Sequence, residues 1–281
     1  MNEKIIDGKK VRKEKELKLQ EKVQGLKEKL TLVVISIAFD EASQVYIRQK
    51  ELLAKKIGYN FINLHFDTIL EEDLIKEIEK LNEDKNITGI IVQLPLPSYL
   101  NKERILNSIS PLKDVDGLTN TNFLKLTKKE PSLIPCTPKG IISLLDYYKI
   151  ALKEKRVVIV GRSELVGLPL FHLLLNKDAT ITLCHSKTKN LKQYTKLADI
   201  LIVAVGKKGL ITEDMVKDGV IIIDVGINRV DGKLYGDVDS ACFKKARLMT
   251  PVPGGVGPMT VISLMENVYL AKKLQEDKLE K

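Results

Sequence analysis

Tyr46 and Lys50 stand four residues apart in Ser43-Gln44-Val45-Tyr46-Ile47-Arg48-Gln49-Lys50, a spacing that puts both on one face of a helix. A lysine beside an aromatic ring in a partly closed cleft holds its proton less tightly and can serve as acid or base. Taken alone, the pair is better explained as an ordinary solvated helix face. Gln93 closes an apolar run just before Pro95, at the end of a strand where open α/β sheets gather binding residues. It reads equally as a polar strand terminus. Asp116, in Lys113-Asp114-Val115-Asp116-Gly117, offers a carboxylate able to accept paired N–H groups from a cyclic, amidine-like edge. An Asp-Gly turn is the plainer explanation of those residues alone.

A second kind of chemistry belongs to Val157-Val158-Ile159-Val160-Gly161-Arg162-Ser163-Glu164-Leu165-Val166-Gly167. Gly161 permits a tight turn off a strand, and the amides of the next helix can then meet a pyrophosphate with help from the helix dipole. The spacing is G-x-S-x-x-x-G rather than G-x-G-x-x-G, so a turn without a ligand stays open as the alternative. The following strand ends Cys184-His185-Ser186-Lys187, without the acid that would hold the ribose hydroxyl of NAD. Arg162 offers a planar fork for a 2′-phosphate and Ser186 a hydroxyl, which favours NADP. His185 and Lys187 read as exposed loop residues. Thr250-Pro251-Val252-Pro253-Gly254-Gly255-Val256-Gly257-Pro258-Met259-Thr260 is a stiff, glycine-rich approach to the last helix, where bare backbone admits a ligand and helix amides meet negative charge.

The elements that must position these residues alternate between strand and helix patterns, which predicts parallel sheets with crossover helices. Expected strands are 32–38, 61–66, 89–94, 156–160, 179–184, 199–205 and 220–225. A helix over 42–57 should end at Gly58, and Thr68 with Glu71 forms a capping box for the next one. Asn101 caps a short helix into Ile109. Regular patterning fades from Ser110 to Pro138, after which Thr137 as cap and Pro138 as first residue open a helix over 139–149. Asp231-Gly232 signals a hairpin, and the last helix runs from about Met259 to near Lys273.

The chain has 281 residues, 44% hydrophobic and 30% charged, which suits one large or two ordinary folded domains. No apolar run is long enough to span a membrane, and the N-terminus lacks a signal peptide's apolar stretch. Cys136, Cys184 and Cys242 lack C-x-x-C spacing and fit a reducing compartment, so a cytoplasmic protein is expected. No metal site is expected. The net charge of +9 admits nucleic acid, an acidic membrane or an anionic small ligand as partner, and a membrane partner is not expected. Lys and Glu interleave over residues 9–29, with Leu19, Val23, Leu26 and Leu30 at helical spacing, as on a solvated helix. With 5% aromatics and no Trp there is no stacking platform, so a nucleic-acid partner is not expected.

Taken together, these segments closely resemble the bifunctional methylenetetrahydrofolate dehydrogenase/methenyltetrahydrofolate cyclohydrolase (FolD) family. The likeness runs from Ile6-Asp7-Gly8 to about Asn267, through ASQVYIRQK (42–50), GIIVQLPLP (89–97), KDVDG (113–117), PCTPKG (135–140), GRSELVGLP (161–169), HSKT (185–188), DVGIN (224–228), GDVD (236–239) and TPVPGGVGPMT (250–260). The resemblance implies an α/β fold of two domains with a cleft between them. Residues 1–137, completed by a C-terminal helix over 262–281, would bind folate, and a Rossmann-type domain over 138–261 would bind NADP. Tyr46 would stack near the pterin, Lys50 would be the principal catalytic group, Gln93 would tune it, and Asp116 would fasten the pterin ring. Gly161, Arg162, Ser163, Ser186 and Ile227 would serve the cofactor, and Gly254, Gly255, Val256 and Gly257 would close over the substrate. A homodimer is also implied. Two departures stand out: Ala38, followed by Phe39, occupies a place where the family commonly has glycine, and Val268 one where threonine is usual.

Overall fold

Strand β1 (Thr31–Ile37) is an unbroken run of buried residues, a composition that suits only the middle of a sheet covered on both faces. It pairs in parallel with β2 (Asn60–Phe66) and β3 (Gly89–Val92), Val33 lying opposite both Ile62 and Ile90. The largely exposed residues of β2 mark it as an edge strand. Helices α2 (Glu41–Ile57) and α3 (Glu71–Glu83) make the crossovers that parallel pairing requires. Val33, Ile35, Leu74, Ile78, Ile90 and Ile105 meet in one core cluster.

In this computed structural model the described residues are 4–38 and 40–279, so Phe39 lies outside them. The chain divides into two compact units, one of Lys15–Cys136 with Val261–Lys281 and one of Thr137–Thr260 with the residues up to Glu14. The first fourteen residues thus group with the second unit, whereas the sequence reading allots them to the first domain. The reason lies in the backbone. Ile6 N donates to Met249 O at 2.9 Å and Gly8 N to Gly254 O at 3.0 Å.

The second unit holds a parallel sheet of β4 (Arg156–Val160), β5 (Thr180–Cys184), β6 (Ile200–Val203), β7 (Ile221–Asp224) and β10 (Leu248–Met249), ordered β10-β7-β6-β4-β5. Counted from β4, this is the doubly wound order 2-1-3-4-5, which reverses between β4 and β6. Helices α6 (Cys136–Tyr147), α7 (Gly167–Leu175) and α8 (Leu191–Thr195) accompany it. A hairpin of β8 (Asn228–Val230) and β9 (Lys233–Tyr235) turns at Asp231-Gly232, both with positive φ, as a two-residue turn of this kind demands.

Several boundaries differ from the sequence reading for identifiable reasons. The Thr68–Glu71 capping box does not form. Leu70 precedes α3 without a side-chain cap, and Glu71 instead accepts from Asn101 N at 2.7 Å and Arg104 Nη1 at 2.8 Å. The charged partner on α4 (Lys102–Ser108) outcompetes a local cap, while Asn101 caps α4 as expected. Helix α5 (Asn120–Thr127) occupies the stretch where patterning fades; it is short and polar, and Thr119 caps it. Helix α6 begins at Cys136, so Thr137 and Pro138 sit inside its first turn rather than at the cap. Helix α1 (Gly8–Gln24) stops before Leu26 and Leu30, and α9 (Val256–Leu279) extends past both expected ends. Among the described residues no helix is long and apolar enough to cross a membrane.

Candidate active site

Lys50 is carried by α2, whose register is set at both ends. Asp40 caps the start by accepting from Ser43 N at 2.7 Å, and Gly58 closes the end with φ +105°. From the middle of this helix Lys50 Nζ donates to Gln93 Oε1 at 2.7 Å. Gln93 follows β3 and keeps the ladder for one further residue, its N–H donating to Ile35 O at 2.8 Å. Its side-chain nitrogen donates to Leu94 O at 2.6 Å, so the amide oxygen is the atom left facing the lysine. Gln93 stands where the chain leaves the carboxyl end of β3, beside β1, at the point where the order β2-β1-β3 reverses.

Burial pulls the pKa of Lys50 below the ordinary lysine range, opposed by the charges of Asp116 and Cys136. Burial likewise raises Asp116, against the influence of Lys50 and of a hydrogen bond with Cys136. The charge on each group thus favours the charged form of the other. A half-buried amine that gives up its proton readily, held by a neutral acceptor and beside a carboxyl group, is equipped to move protons. Tyr46 lies one turn before Lys50 on α2 and is 43% exposed, with its ring open to a ligand.

The Lys113–Gly117 segment divides its labour. Lys113 Nζ donates to Leu81 O and Asp84 O, and Asp114 accepts from Thr119 N and Asn122 Nδ2, so both are spent on structure. Gly117 has φ +71°, and a Cβ there would come within 2.6 Å of Pro135 N. The Asp-Gly turn forms, with Asp116 near enough to Lys50 for each charge to act on the other. Asn267 on α9 escaped the sequence reading. Its Nδ2 donates to Val115 O and Ile134 O, each at 2.8 Å, and so fixes the residues before Asp116 and before Pro135-Cys136. Its one legible signal is an amide in an apolar helix, which burial obliges to find partners.

The nucleotide-type residues belong to the other unit. Gly161 leaves β4 with φ +122°, and a Cβ on it would collide with the carbonyl of Ala204 at the end of β6. A Cβ on Gly167, where α7 starts, would collide with the carbonyl of Gly161. Only glycines allow this strand, loop and helix to close up at the reversal point. Arg162 and Ser186 lie two residues beyond the paired Val160 and Cys184 on adjacent strands, and both are exposed. Ser163 Oγ accepts from Val166 N at 3.2 Å, leaving its hydroxyl proton to donate. His185 Nδ1 accepts from Lys187 N, a turn-forming role. Ile227 follows β7 and is 48% exposed.

Gly254 has φ +109° with only the side chains of Lys9 and Pro251 near its missing Cβ, whereas Gly255 is closely crowded. A Cβ on Gly8 would collide with Gly255 O, and a Cβ on Gly255 would lie 2.6 Å from Thr250 Cβ. Part of the bare backbone read as room for a ligand thus serves the crossing with residue 8. Val256 is buried as the first residue of α9, while Gly257 has open space around it.

Asp224 and Asp237 lie in the DVGIN and GDVD segments, and their residue types alone assign them no role. Asp224 Oδ1 accepts from Gly226 N and Asp237 N, and Oδ2 from Val238 N. Burial nonetheless pushes its pKa up to about 6. Asp237 in turn gathers the backbone after β6. Their signal in the sequence is an acid ending an apolar strand, and a Gly-Asp pair just after the hairpin.

A model of the tetrahydrofolate dehydrogenase/cyclohydrolase catalytic domain matches residues 6–116, and one of the NAD(P)-binding domain of the same family matches residues 135–276. The protein named Bifunctional protein FolD from Streptococcus thermophilus is 50% identical over 275 residues, covering 95% of this chain and 96% of that one. The crystal structure of the bifunctional FolD dehydrogenase/cyclohydrolase from Campylobacter jejuni superposes with a TM-score of 0.94 at 44% identity, covering 96% and 99% of the two chains. The Trypanosoma brucei FolD structure, complexed with NADP cofactor and an inhibitor, gives 0.91 at 34% identity over 96% and 97%. This chain is a member of the tetrahydrofolate dehydrogenase/cyclohydrolase family.

Proposed function

We propose that this chain oxidises 5,10-methylenetetrahydrofolate with NADP+ and hydrolyses the 5,10-methenyl product to 10-formyltetrahydrofolate, with Lys50 as the proton-transferring group. The observation that carries the assignment is the 2.7 Å bond from Lys50 Nζ to Gln93 Oε1, on a lysine whose pKa burial has lowered. Family membership supplies the two reactions. The substrate would stack on Tyr46 and fasten its pterin edge to Asp116, whose charge acts on the lysine.

The residues at the β4–β6 reversal fit a dinucleotide. Close packing at Gly161 and Gly167 brings backbone within reach of a phosphate, and Arg162, Ser163 and Ser186 are free to hold phosphate oxygens. Arg162 and Ser186, with no acid after β5, favour NADP over NAD. When bound, NADP+ accepts the hydride that leaves the methylene carbon. The chain's part in that step is alignment, which needs no protein proton. Hydrolysis differs. Water adds to the methenyl carbon as its proton passes to the neutral Lys50 amine. The ammonium so formed returns a proton to N5 as the carbon–N5 bond breaks, and the added hydroxyl gives up its own proton to solvent as the formyl C=O forms, so that one proton is released overall. Gln93 holds the amine in place through both transfers.

The unit of Lys15–Cys136 is then the folate side, completed by the later turns of α9, and the unit of Thr137–Thr260 the nucleotide side. A cytoplasmic homodimer acting on small molecules rather than nucleic acid completes the reading, supported by the family, by three buried free cysteines and by the commonness of two-fold assemblies. The test is to give the purified protein methylenetetrahydrofolate and NADP+ while following NADPH and methenyl absorbance. Both activities are expected. NADPH formation without hydrolysis of added methenyl-folate would leave only a dehydrogenase, and the absence of both would refute the reading.

A further inference from the structure

We infer that Asp237 is a positioning residue for the dinucleotide site, shaping the loop after β6 through its backbone amides. The inference rests on the reading of the β4–β6 reversal as that site. Asp237 is fully buried, and both of its carboxylate oxygens are filled. Oδ2 accepts from Val205 N at 2.7 Å and Gly206 N at 3.0 Å, and Oδ1 from Lys207 N at 2.7 Å and Asn228 Nδ2 at 2.9 Å. Three consecutive amides converging on one carboxylate fix the loop's path as no neutral side chain of that size could, because charge-assisted bonds are about twice as strong as neutral ones.

The loop so held lies at the reversal point. Ala204 O, just before it, is the atom a Cβ on Gly161 would strike, and Val205 Cγ1 lies 3.4 Å from the same position. Asn228 extends the hold to the segment after β7, next to Ile227. Lys208 Nζ stands 3.4 Å from the centre of the Tyr235 ring and ties the loop's far end to β9. The amides of Val205, Gly206 and Lys207 are taken up by Asp237, and the Val205 side chain stays half-exposed. Anion recognition is left to Gly161, Arg162, Ser163 and the start of α7. Asp237 itself is held in register by Asp224, which receives Asp237 N at 2.9 Å and Val238 N at 3.0 Å.

Asp237→Asn keeps the shape but turns a donor toward donors. Asn228→Ala removes one of the four bonds and leaves the buried carboxylate in place. Amide hydrogen exchange without nucleotide, calorimetric titration with NADP+ and steady-state kinetics test the assignment together. In Asp237→Asn the Val205–Lys207 amides are expected to exchange at least about tenfold faster, and NADP+ to bind about tenfold or more weakly. Its KM for NADP+ should rise in step, while the KM for methylenetetrahydrofolate and the rate of methenyl-folate hydrolysis, which uses no dinucleotide, should stay within about twofold. Asn228→Ala should show the same pattern at smaller size, and it carries the test if Asp237→Asn does not fold. Unchanged NADP+ affinity in folded variants, or equal losses in both reactions, would overturn the assignment. If the parent protein binds no NADP+, the functional reading fails instead, and that is visible before any variant is made.

Discussion

Lys50 on the crossover helix α2 and Gln93 just past the end of β3 meet side chain to side chain at 2.7 Å, with the Leu94 carbonyl deciding which end of the amide the lysine sees. The lysine therefore loses water without losing a partner. Burial lowers its pKa, and a neutral acceptor does little to restore it, whereas the carboxyl of Asp116 works in the opposite direction.

A pH dependence follows. Asp116 raises the Lys50 pKa, so removing its charge in Asp116→Asn must lower it further. If neutral Lys50 takes the proton from water, methenyl-folate hydrolysis rises with pH through a pKa below the ordinary 10.5. That rising limb should move to lower pH in Asp116→Asn, alongside a higher KM for the folate. A pH–rate series at saturating substrate measures it, and a shift toward higher pH would refute the coupling.

Arg162→Ala should weaken NADP+ binding by about 1.5–3 kcal/mol, the scale of a hydrogen bond to a charged group, and affect NAD+ little. Titration with each nucleotide decides it. Equal losses would show that Arg162 does not read the 2′-phosphate.

Ala38 has φ +57°, a left-handed conformation that costs an L-residue about 1–2 kcal/mol. The glycine common at this place in the family now has a physical reason. Ala38→Gly relieves that strain but loosens the unfolded chain, for a net gain of about 0.5–1 kcal/mol. Urea unfolding at pH 7 measures it, and a loss of stability would mean that the Ala38 methyl packs usefully enough to outweigh the strain.

Asp224 links stability to pH. Its folded pKa, about 6, lies above the ordinary 3.8, so its contribution is fully present below pH 3.8 and is lost as pH rises through 6. The loss is about 3 kcal/mol across that window. Asp224→Asn lacks this dependence. The parent should therefore lose ground relative to the variant between about pH 4 and 7, as compared by denaturant unfolding at each pH. A constant difference would contradict the raised pKa.

The parallel-sheet architecture is legible because buried strands are compositionally plain: Leu32–Ile37, Gly89–Val92 and Val157–Val160 are largely apolar runs, the latter two closed by Gln93 and Gly161. Gly58, Asn101 and Asp231-Gly232 announced their turns through local chemistry. The Thr68–Glu71 cap was misread because Glu71 had a better partner thirty-three residues on, in Arg104, and no local pattern records that. Helix α5 was missed for want of an apolar face long enough to show a period. At the candidate site, Lys50, Gln93 and Asp116 were singled out from residue types and resemblance, but their pairing is a product of topology. Asn267, Asp224 and Asp237 act by holding backbone, and a side chain that grips main-chain atoms leaves almost no trace in the residues it grips.

The central claim is that Lys50 moves the protons of hydrolysis, and Lys50→Met tests it most directly, since methionine keeps much of the stem's bulk and removes the amine. NADPH formation and methenyl-folate hydrolysis are to be followed separately in the variant and the parent. Hydrolysis should fall by about 10²–10⁴, the usual span for a positioned acid or base, while NADPH formation falls less and methenyl-folate accumulates. Hydrolysis of methenyl-folate by Lys50→Met at the parent rate would show that another group supplies the proton.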